Sequence, residues 1–411
     1  LGTQWLPLVV LFAFRFFRDG RALDALAAGA LFALEAYACG YHGVIGLLVL
    51  PLSFLPLLWG RWSRLPLATA GAGVAAILLL PLYLLHRAAL EPLGYVRGPE
   101  ETATFSAALE SFLATSSWNH VWGELTASFR TTYSNNLFPG LALPLLALAG
   151  GVLLWRAGRR PSREALALVV MALATVAVAL GPEVRLLGHD LFPGPFALAR
   201  ELPLFRMIRV PSRAGIFLVL PLAMLAAKAL TAWRPRPVVM GAVAVLAILE
   251  TVIAPIPMPG WAQVVDTRRP PPPVYAWLAL QPGAVVVAEL PMLDIRGIFE
   301  HPAHHESIYL VQSTRGHWKT LANGYAGIEP TPYVALRNAV RTFPSATALD
   351  GLRAHQVRYV ILHRGGYGPN KWARIERDLP GFAGELREVA RFDDGADRVF
   401  ALEPAAPRYA P

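Results

Sequence analysis

Leu202-Pro203-Leu204-Phe205-Arg206-Met207-Ile208-Arg209-Val210-Pro211-Ser212-Arg213 runs straight into an unbroken apolar segment, residues 214–230. With its flanks, a segment of that length approaches the roughly 20 residues a membrane-spanning helix needs. Pro211 suits the first turn of such a helix, where its missing N–H would have had no partner. Arg206, Arg209 and Arg213 then lie beside free backbone N–H groups and the positive end of the helix dipole, an arrangement suited to a phosphate.

The same test finds further apolar runs at residues 5–17, 23–39, 43–59, 66–86, 141–155, 165–180 and 238–254. They are apolar all round, without the polar stripe of a helix lying on a soluble core. The composition agrees: 55% of the 411 residues are hydrophobic and 16% charged, with mean hydropathy +0.43. The predicted class is an α-helical polytopic membrane protein of about eight spans, residues 1–255. A Pro-rich linker (256–273) and an α/β domain (274–411) follow.

The net charge of +9 does not imply a nucleic-acid partner. Arg15, Arg18 and Arg21 follow the first run, Arg61 and Arg64 the third, and Arg156, Arg159, Arg160 and Arg163 the fifth. Lys228, Arg234 and Arg236 follow the seventh. Every second connection is short and basic, which places these in the cytoplasm. The outer side then receives residues 40–42, 87–140 and 181–211, and everything after Pro255. Arg206, Arg209 and Arg213 therefore fall on the side that usually carries fewer basic residues. Cys39 is the one cysteine, so no disulfide framework forms within the chain. The sequence opens inside an apolar run and reads as a fragment whose start lies upstream.

Beyond the linker, residues 284–289 and 357–363 read as buried strands and 308–312 as a further strand. Residues 332–342, 346–355 and 371–379 have helical spacing, with Ser345 an N-cap. Asp393-Asp394-Gly395 reads as a hairpin turn between 386–392 and 398–403.

Three constellations bear on function. Arg206, Arg209 and Arg213 either clamp the phosphate of a lipid-linked donor or pair with Glu201, Asp190 and Glu250, Arg213 with Glu250 in particular. Glu35, Tyr41 and His42 sit at an outer hairpin. A carboxylate at membrane depth marks a cavity, a cation or an interhelical hydrogen bond. His317, Trp318, Asn323 and Tyr325 lie among glycines and are of the types that line a sugar or polar ligand; docking against another surface is the alternative. The cluster His301-Pro302-Ala303-His304-His305-Glu306 lacks metal-ligand spacing and reads as a solvated loop. No residue is assigned as a metal ligand, although a divalent cation remains among the possible cofactors.

The Tyr41-His42-Gly43 hairpin, residues 202–213, and the His317-Trp318…Asn323-Gly324-Tyr325 loop carry a resemblance, as do Phe343-Pro344 and Val357-Arg358-Tyr359-Val360. The chain resembles bacterial membrane glycosyltransferases of the GT-C superfamily, similar to protein O-mannosyltransferases and aminoarabinose transferases. That resemblance implies an inner-membrane location with an extracytoplasmic C-terminal domain. It also implies a polyprenyl-phosphate-linked sugar donor and a glycan, lipid or protein acceptor. In that group an acidic residue of the first outer loop is the base, which here would lie upstream of Leu1, so no catalytic residue is carried over. A non-catalytic protein of the same architecture, binding lipid-linked glycans or scaffolding envelope assembly, is the alternative.

Overall fold

A computed structural model describes residues 2–91, 99–130, 135–255, 265–293, 304–324 and 329–403. The chain forms two compact units, Leu1–Pro257 and Met258–Pro411, so their boundary falls within the proline-rich segment.

Each apolar run of the first unit becomes a helix. In order these are α1 (Leu6–Asp19), α2 (Ala22–Ala38), α3 (Gly40–Leu58), α4 (Leu65–Leu90), then short α5 (Pro99–Thr104), α6 (Ala142–Arg156) and α7 (Arg163–Ala179). After the hairpin β1 (Glu183–Leu186) and β2 (His189–Pro193) come α8 (Phe196–Arg200), α9 (Pro203–Arg206), α10 (Val219–Trp233) and α11 (Pro237–Leu249). Among the described residues, three helical stretches are long and apolar enough to cross a membrane: Gly40–Leu58, Trp62–Leu90 and Pro211–Trp233. The apolar α6 and α11 are shorter. Leucines and isoleucines along α4 and α11, such as Ile77, Leu85, Leu246 and Ile248, lie exposed. A surface of this kind suits lipid better than water.

Backbone contact explains the tightest helix pair. A Cβ on Gly29 of α2 would sit 1.9 Å from the Gly71 carbonyl oxygen of α4, and one on Gly71 would sit 2.4 Å from that of Ala25. Small residues permit this approach where packing, not hydrophobicity, joins helices. Helix ends are satisfied by distant side chains. Arg64 donates to the carbonyls of Phe16 and Arg18 at the end of α1 (3.2 and 3.3 Å), and both Arg61 and Arg64 donate to that of Phe17. The Glu250 carboxylate accepts from the N–H groups of Leu141 and Ala142, both at 2.8 Å, at the start of α6.

The second unit is a five-stranded sheet in the order β4-β3-β5-β7-β6. Its strands are β3 (Val286–Leu290), β4 (Thr320–Leu321), β5 (Val357–His363), β6 (Leu386–Phe392) and β7 (Asp397–Leu402). β3 is parallel to β4 and β5, whereas β7 is antiparallel to β5 and β6. Leu290, Leu362 and Phe400 face the helices α14 (Thr331–Val340), α15 (Ala346–Ala354) and α16 (Pro369–Asp378) through Leu336, Leu349, Leu352 and Ile375. On the other face Val287, Ile361 and Val399 pack on Val274 and Leu278 of α12 (Pro273–Ala279).

One predicted strand is wrong. Residues 308–312 lie inside the helix α13 (Glu306–Gly316). The His305 Nδ1 accepts the Ser307 N–H at 3.0 Å and starts that helix, and Tyr309, Gln312 and Ser313 bury one face at helical spacing. Local β-branched content was outweighed by a cap and by tertiary burial. Ser345 does cap α15, accepting from the Ala348 N–H at 3.2 Å. The Asp393–Gly395 turn does join β6 to β7, with positive φ at Asp393, Asp394 and Gly395.

Candidate functional site

In the first unit the arginine stretch is pinned by its apolar members. Phe205 and Ile208 are buried, and the Thr102 hydroxyl donates to the Ile208 carbonyl at 3.3 Å. The guanidinium groups turn outward to separate partners. Arg206 Nε donates to the Arg200 carbonyl (3.2 Å) and Nη2 to that of Glu201 (3.1 Å), with the exposed Glu201 carboxylate 3.7 Å away. Arg209 Nε lies 2.7 Å from the Glu101 carboxylate, and its guanidinium covers the Phe105 ring at 4.7 Å. Arg213 stacks on Tyr41, 4.5 Å from the ring centroid. The expected Arg213–Glu250 pair does not form. Glu250 is instead spent on the start of α6 and on the Trp122 Nε1–H at 3.3 Å. The long helix also differs in detail: Pro211–Leu218 is a 3-10 turn that leads into α10.

The Tyr41–Arg213 contact brings the hairpin between α2 and α3 next to the arginine stretch, as does the His42 ring edge-on to Phe217 at 5.8 Å. Glu35, however, has a structural task. One of its oxygens accepts the N–H groups of Trp5 and Leu6 (3.2 and 3.1 Å), capping α1, and the other meets His42 Nδ1 at 2.8 Å. Both oxygens are thus engaged in hydrogen bonds within the protein.

In the second unit, sequence reasoning missed a buried cluster of charged side chains. On the face carrying Val287, Ile361 and Val399, the period of two places Glu289, His363 and Asp397 next along their strands. All three meet. His363 Nε2 is 2.9 Å from a Glu289 oxygen and its Nδ1 is 2.8 Å from Asp397. The same Glu289 oxygen accepts the Tyr275 hydroxyl at 2.7 Å, and Tyr309 stacks on the His363 ring at 5.0 Å. Burial pushes the His363 imidazolium down, but hydrogen bonds to Asp397 and Glu289 and their charges outweigh it and raise it to about 9.

Asn323 docks on this centre by its amide. Its Oδ1 accepts the Glu289 N–H at 2.7 Å and its Nδ2 donates to the Glu289 carbonyl at 2.8 Å, extending the parallel ladder by one side chain. His317 is buried and stacked on Tyr275 at 5.8 Å, with Nδ1 accepting the Lys319 N–H at 2.9 Å. Gly316 makes that stacking possible, since a Cβ there would lie 2.6 Å from the Tyr275 Cβ. Trp318 is 80% exposed and stands apart from His317 and Asn323. Tyr325 lies outside the described residues, as do His301, Pro302 and Ala303. His305 and Glu306 are not the solvated loop expected of them: His305 caps α13, and Glu306 is buried. Burial, followed by the charge of Glu289, raises the Glu306 carboxyl to about 7, against the pull of Asn323, Tyr333 and Arg337. Among the described residues no three His, Cys, Asp or Glu side chains form a metal site.

The class defined so far is a mostly helical chain with three candidate membrane-spanning stretches and a C-terminal sheet region. No protein-family model matches the chain, and no curated protein is similar to it.

Proposed function

We propose that the chain is a multi-pass bacterial inner-membrane protein that binds the phosphate of a polyprenyl-linked sugar through Arg206, Arg209 and Arg213. In this reading all eight helices formed by the apolar runs cross the membrane, the shorter ones helped by flanking residues. The arginines and the C-terminal unit then lie on the extracytoplasmic side. One observation carries the reading: Arg206 and Arg209 precede an apolar helical stretch, Pro211–Trp233, Arg213 lies in its first turn, and all three rest on partners a phosphate can replace. Those partners are the ring faces of Tyr41 and Phe105, the carboxylates of Glu201 and Glu101, and backbone carbonyls of Arg200 and Glu201. Phosphate offers Arg a stronger, bidentate hydrogen-bonding geometry.

The reaction this supports is glycosyl transfer to a cell-envelope acceptor. An acceptor hydroxyl, deprotonated by a carboxylate, attacks the anomeric carbon while the carrier phosphate leaves among guanidinium groups. A non-catalytic binder of lipid-linked glycans is the second reading. It differs from the first in needing no base, and both Glu35 oxygens already serve hydrogen bonds within the protein.

The test uses the full-length protein in vesicles containing radiolabelled polyprenyl-phosphate sugar. Arg206→Ala with Arg209→Ala is expected to weaken donor binding about tenfold or more, the scale of losing charged hydrogen bonds, with expression unchanged. Unaltered binding by the double variant would remove the clamp. Binding without transfer would select the second reading.

A further inference from the structure

A groove runs through the helical unit between α3 and α4, with α1 and α2 as its floor. α4 leans on α2 at the Gly29–Gly71 crossing, and the gap on its other side is this groove. Its volume is about 680 Å³, and its wall on α4 extends from Leu65 to Tyr83. At 1.5 Å of rise per residue that wall is about 27 Å long, close to the thickness of a bilayer's hydrocarbon core. The mean cross-section is then about 25 Å², far narrower than a helix and of the order of one extended hydrocarbon chain. Apart from Thr69 and Tyr83 every side chain lining it is apolar, and the Thr69 hydroxyl is spent on the Pro66 carbonyl at 2.8 Å. Leu47, Leu55 and Leu80 on the rim are exposed, so the groove opens sideways.

One end of the groove is basic. Phe17 and Leu58 line that end. Arg61 and Arg64 both donate to the Phe17 carbonyl, and the Arg61 N–H donates to the Leu58 carbonyl at 2.8 Å. Arg163 joins them: its guanidinium lies 3.3 Å from where a Cβ on Gly60 would stand. A guanidinium carries five N–H donors, and the backbone carbonyls take only part of those of Arg61 and Arg64. None of the three arginines forms an ion pair among the described residues. Asp19 and Asp24 are already paired with Arg18 and Arg15, at 2.8 and 3.3 Å, which leaves Glu164 against the three. Trp59 and Trp62 flank the same turn and are 75% and 62% exposed. Exposed tryptophans at a helix end mark the depth of lipid headgroups.

These two features select the ligand together. The apolar groove calls for an aliphatic chain, and the guanidinium groups at its mouth call for a phosphate, which Arg meets with paired hydrogen bonds. Basic pockets between spanning helices hold anionic headgroups in this way. A zwitterionic lipid brings an ammonium group to the same mouth, where three guanidinium groups repel it. A partner helix, at about 10–12 Å across, is too wide.

We propose that this groove seats one acyl chain of an anionic phospholipid from the leaflet at the α3–α4 turn, with the lipid phosphate on Arg61, Arg64 and Arg163. The proposal rests on the membrane reading of this unit and not on donor binding by Arg206 and Arg209. The same arginines that close the end of α1 thereby fix a lipid against it.

The experiment is native mass spectrometry of the full chain released from detergent micelles, after incubation with phosphatidylglycerol or phosphatidylcholine of the same acyl chains. The parent is expected to retain phosphatidylglycerol about tenfold better, the scale of one charged hydrogen bond. Arg163→Ala, which leaves Arg61 and Arg64 to hold α1, should reduce that preference. Ala72→Phe fills the groove from an exposed lining position and should lose the bound lipid. Ala70→Phe, exposed and outside the groove, should bind as the parent does, which separates occlusion from misfolding. Equal retention of the two lipids by the parent, an unchanged preference in Arg163→Ala, or equal retention by Ala72→Phe and Ala70→Phe would each overturn the proposal. So would displacement of phosphatidylglycerol by undecaprenyl phosphate, which would give the groove to the donor's chain. The arginine clamp is read separately, from donor binding by the Arg206→Ala, Arg209→Ala double variant.

Discussion

His363 holds two carboxylates of the sheet together, and its loss would leave Glu289 and Asp397 facing each other in the interior. Breaking a buried pair by removing one partner costs about 3–5 kcal/mol. His363→Ala should therefore destabilise the C-terminal unit by that order, as measured by hydrogen exchange over residues 357–363. Protection equal to the parent would show the charges to be compensated elsewhere. The pH response has a definite sign. The folded imidazolium sits at about 9, above its ordinary 6.5, so its contribution is complete below pH 6.5 and vanishes as pH rises through 9. Glu306 acts in the same sense: folding raises it from 4.5 to about 7, so its contribution is lost as pH climbs from 4.5 through 7. Protection of β5 should fall between pH 6 and 9 after correction for intrinsic exchange. A flat profile would contradict both assignments. Sequence reading singled out His317 and Asn323 by their types and glycine neighbours, but not Glu289, His363 and Asp397. Each of those three looks like an ordinary strand-end polar residue until the pairing of β3, β5 and β7 is known.

At the scale of elements, the bundle depends on two glycines. A side chain on Gly29 or Gly71 meets backbone across the α2–α4 crossing, not the yielding end of another side chain. Gly71→Leu should separate the helices and lower the yield of detergent-stable protein, whereas Gly73→Leu, at a position with open space, should not. Fluorescence size-exclusion chromatography would compare them, and equal yields would argue against the close crossing. Glu35→Ala makes a second case: two N–H groups at the start of α1 and a buried imidazole lose their acceptor. A lost cap costs about 0.5–2 kcal/mol and an orphaned buried group about 1–3. A measurable drop in melting temperature is expected, with Glu35→Gln milder because it keeps an acceptor. The apolar runs were legible as helices because length and composition decide them locally. The β1–β2 hairpin and the helical state of residues 308–312 were not, since β2 is exposed throughout, β1 buries only Val184, and α13 is fixed by its cap and its packing.

At the scale of the molecule, the chain divides into a helical unit with lipid-compatible surface and a sheet with helices on both faces. Composition alone foretold the contrast: the proline-rich segment follows the last apolar run, and the sequence beyond it changes from all-apolar to patterned. How many helices cross a bilayer is a different question, because helices below spanning length are judged by their flanks and tilt. If all eight cross, the C-terminal unit faces away from the cytoplasm. A periplasmic-only reporter fused at the C-terminus should then be active, and silence there together with an active cytoplasmic reporter would reverse the arrangement. The Asp393–Gly395 turn provides the gentler instrument. Its exposed aspartates already occupy left-handed backbone, and the tip joins two strands without touching Glu289, Glu306 or His317. An epitope spliced into that tip would leave the polypeptide's end untouched and let antibody staining of intact cells report the side directly.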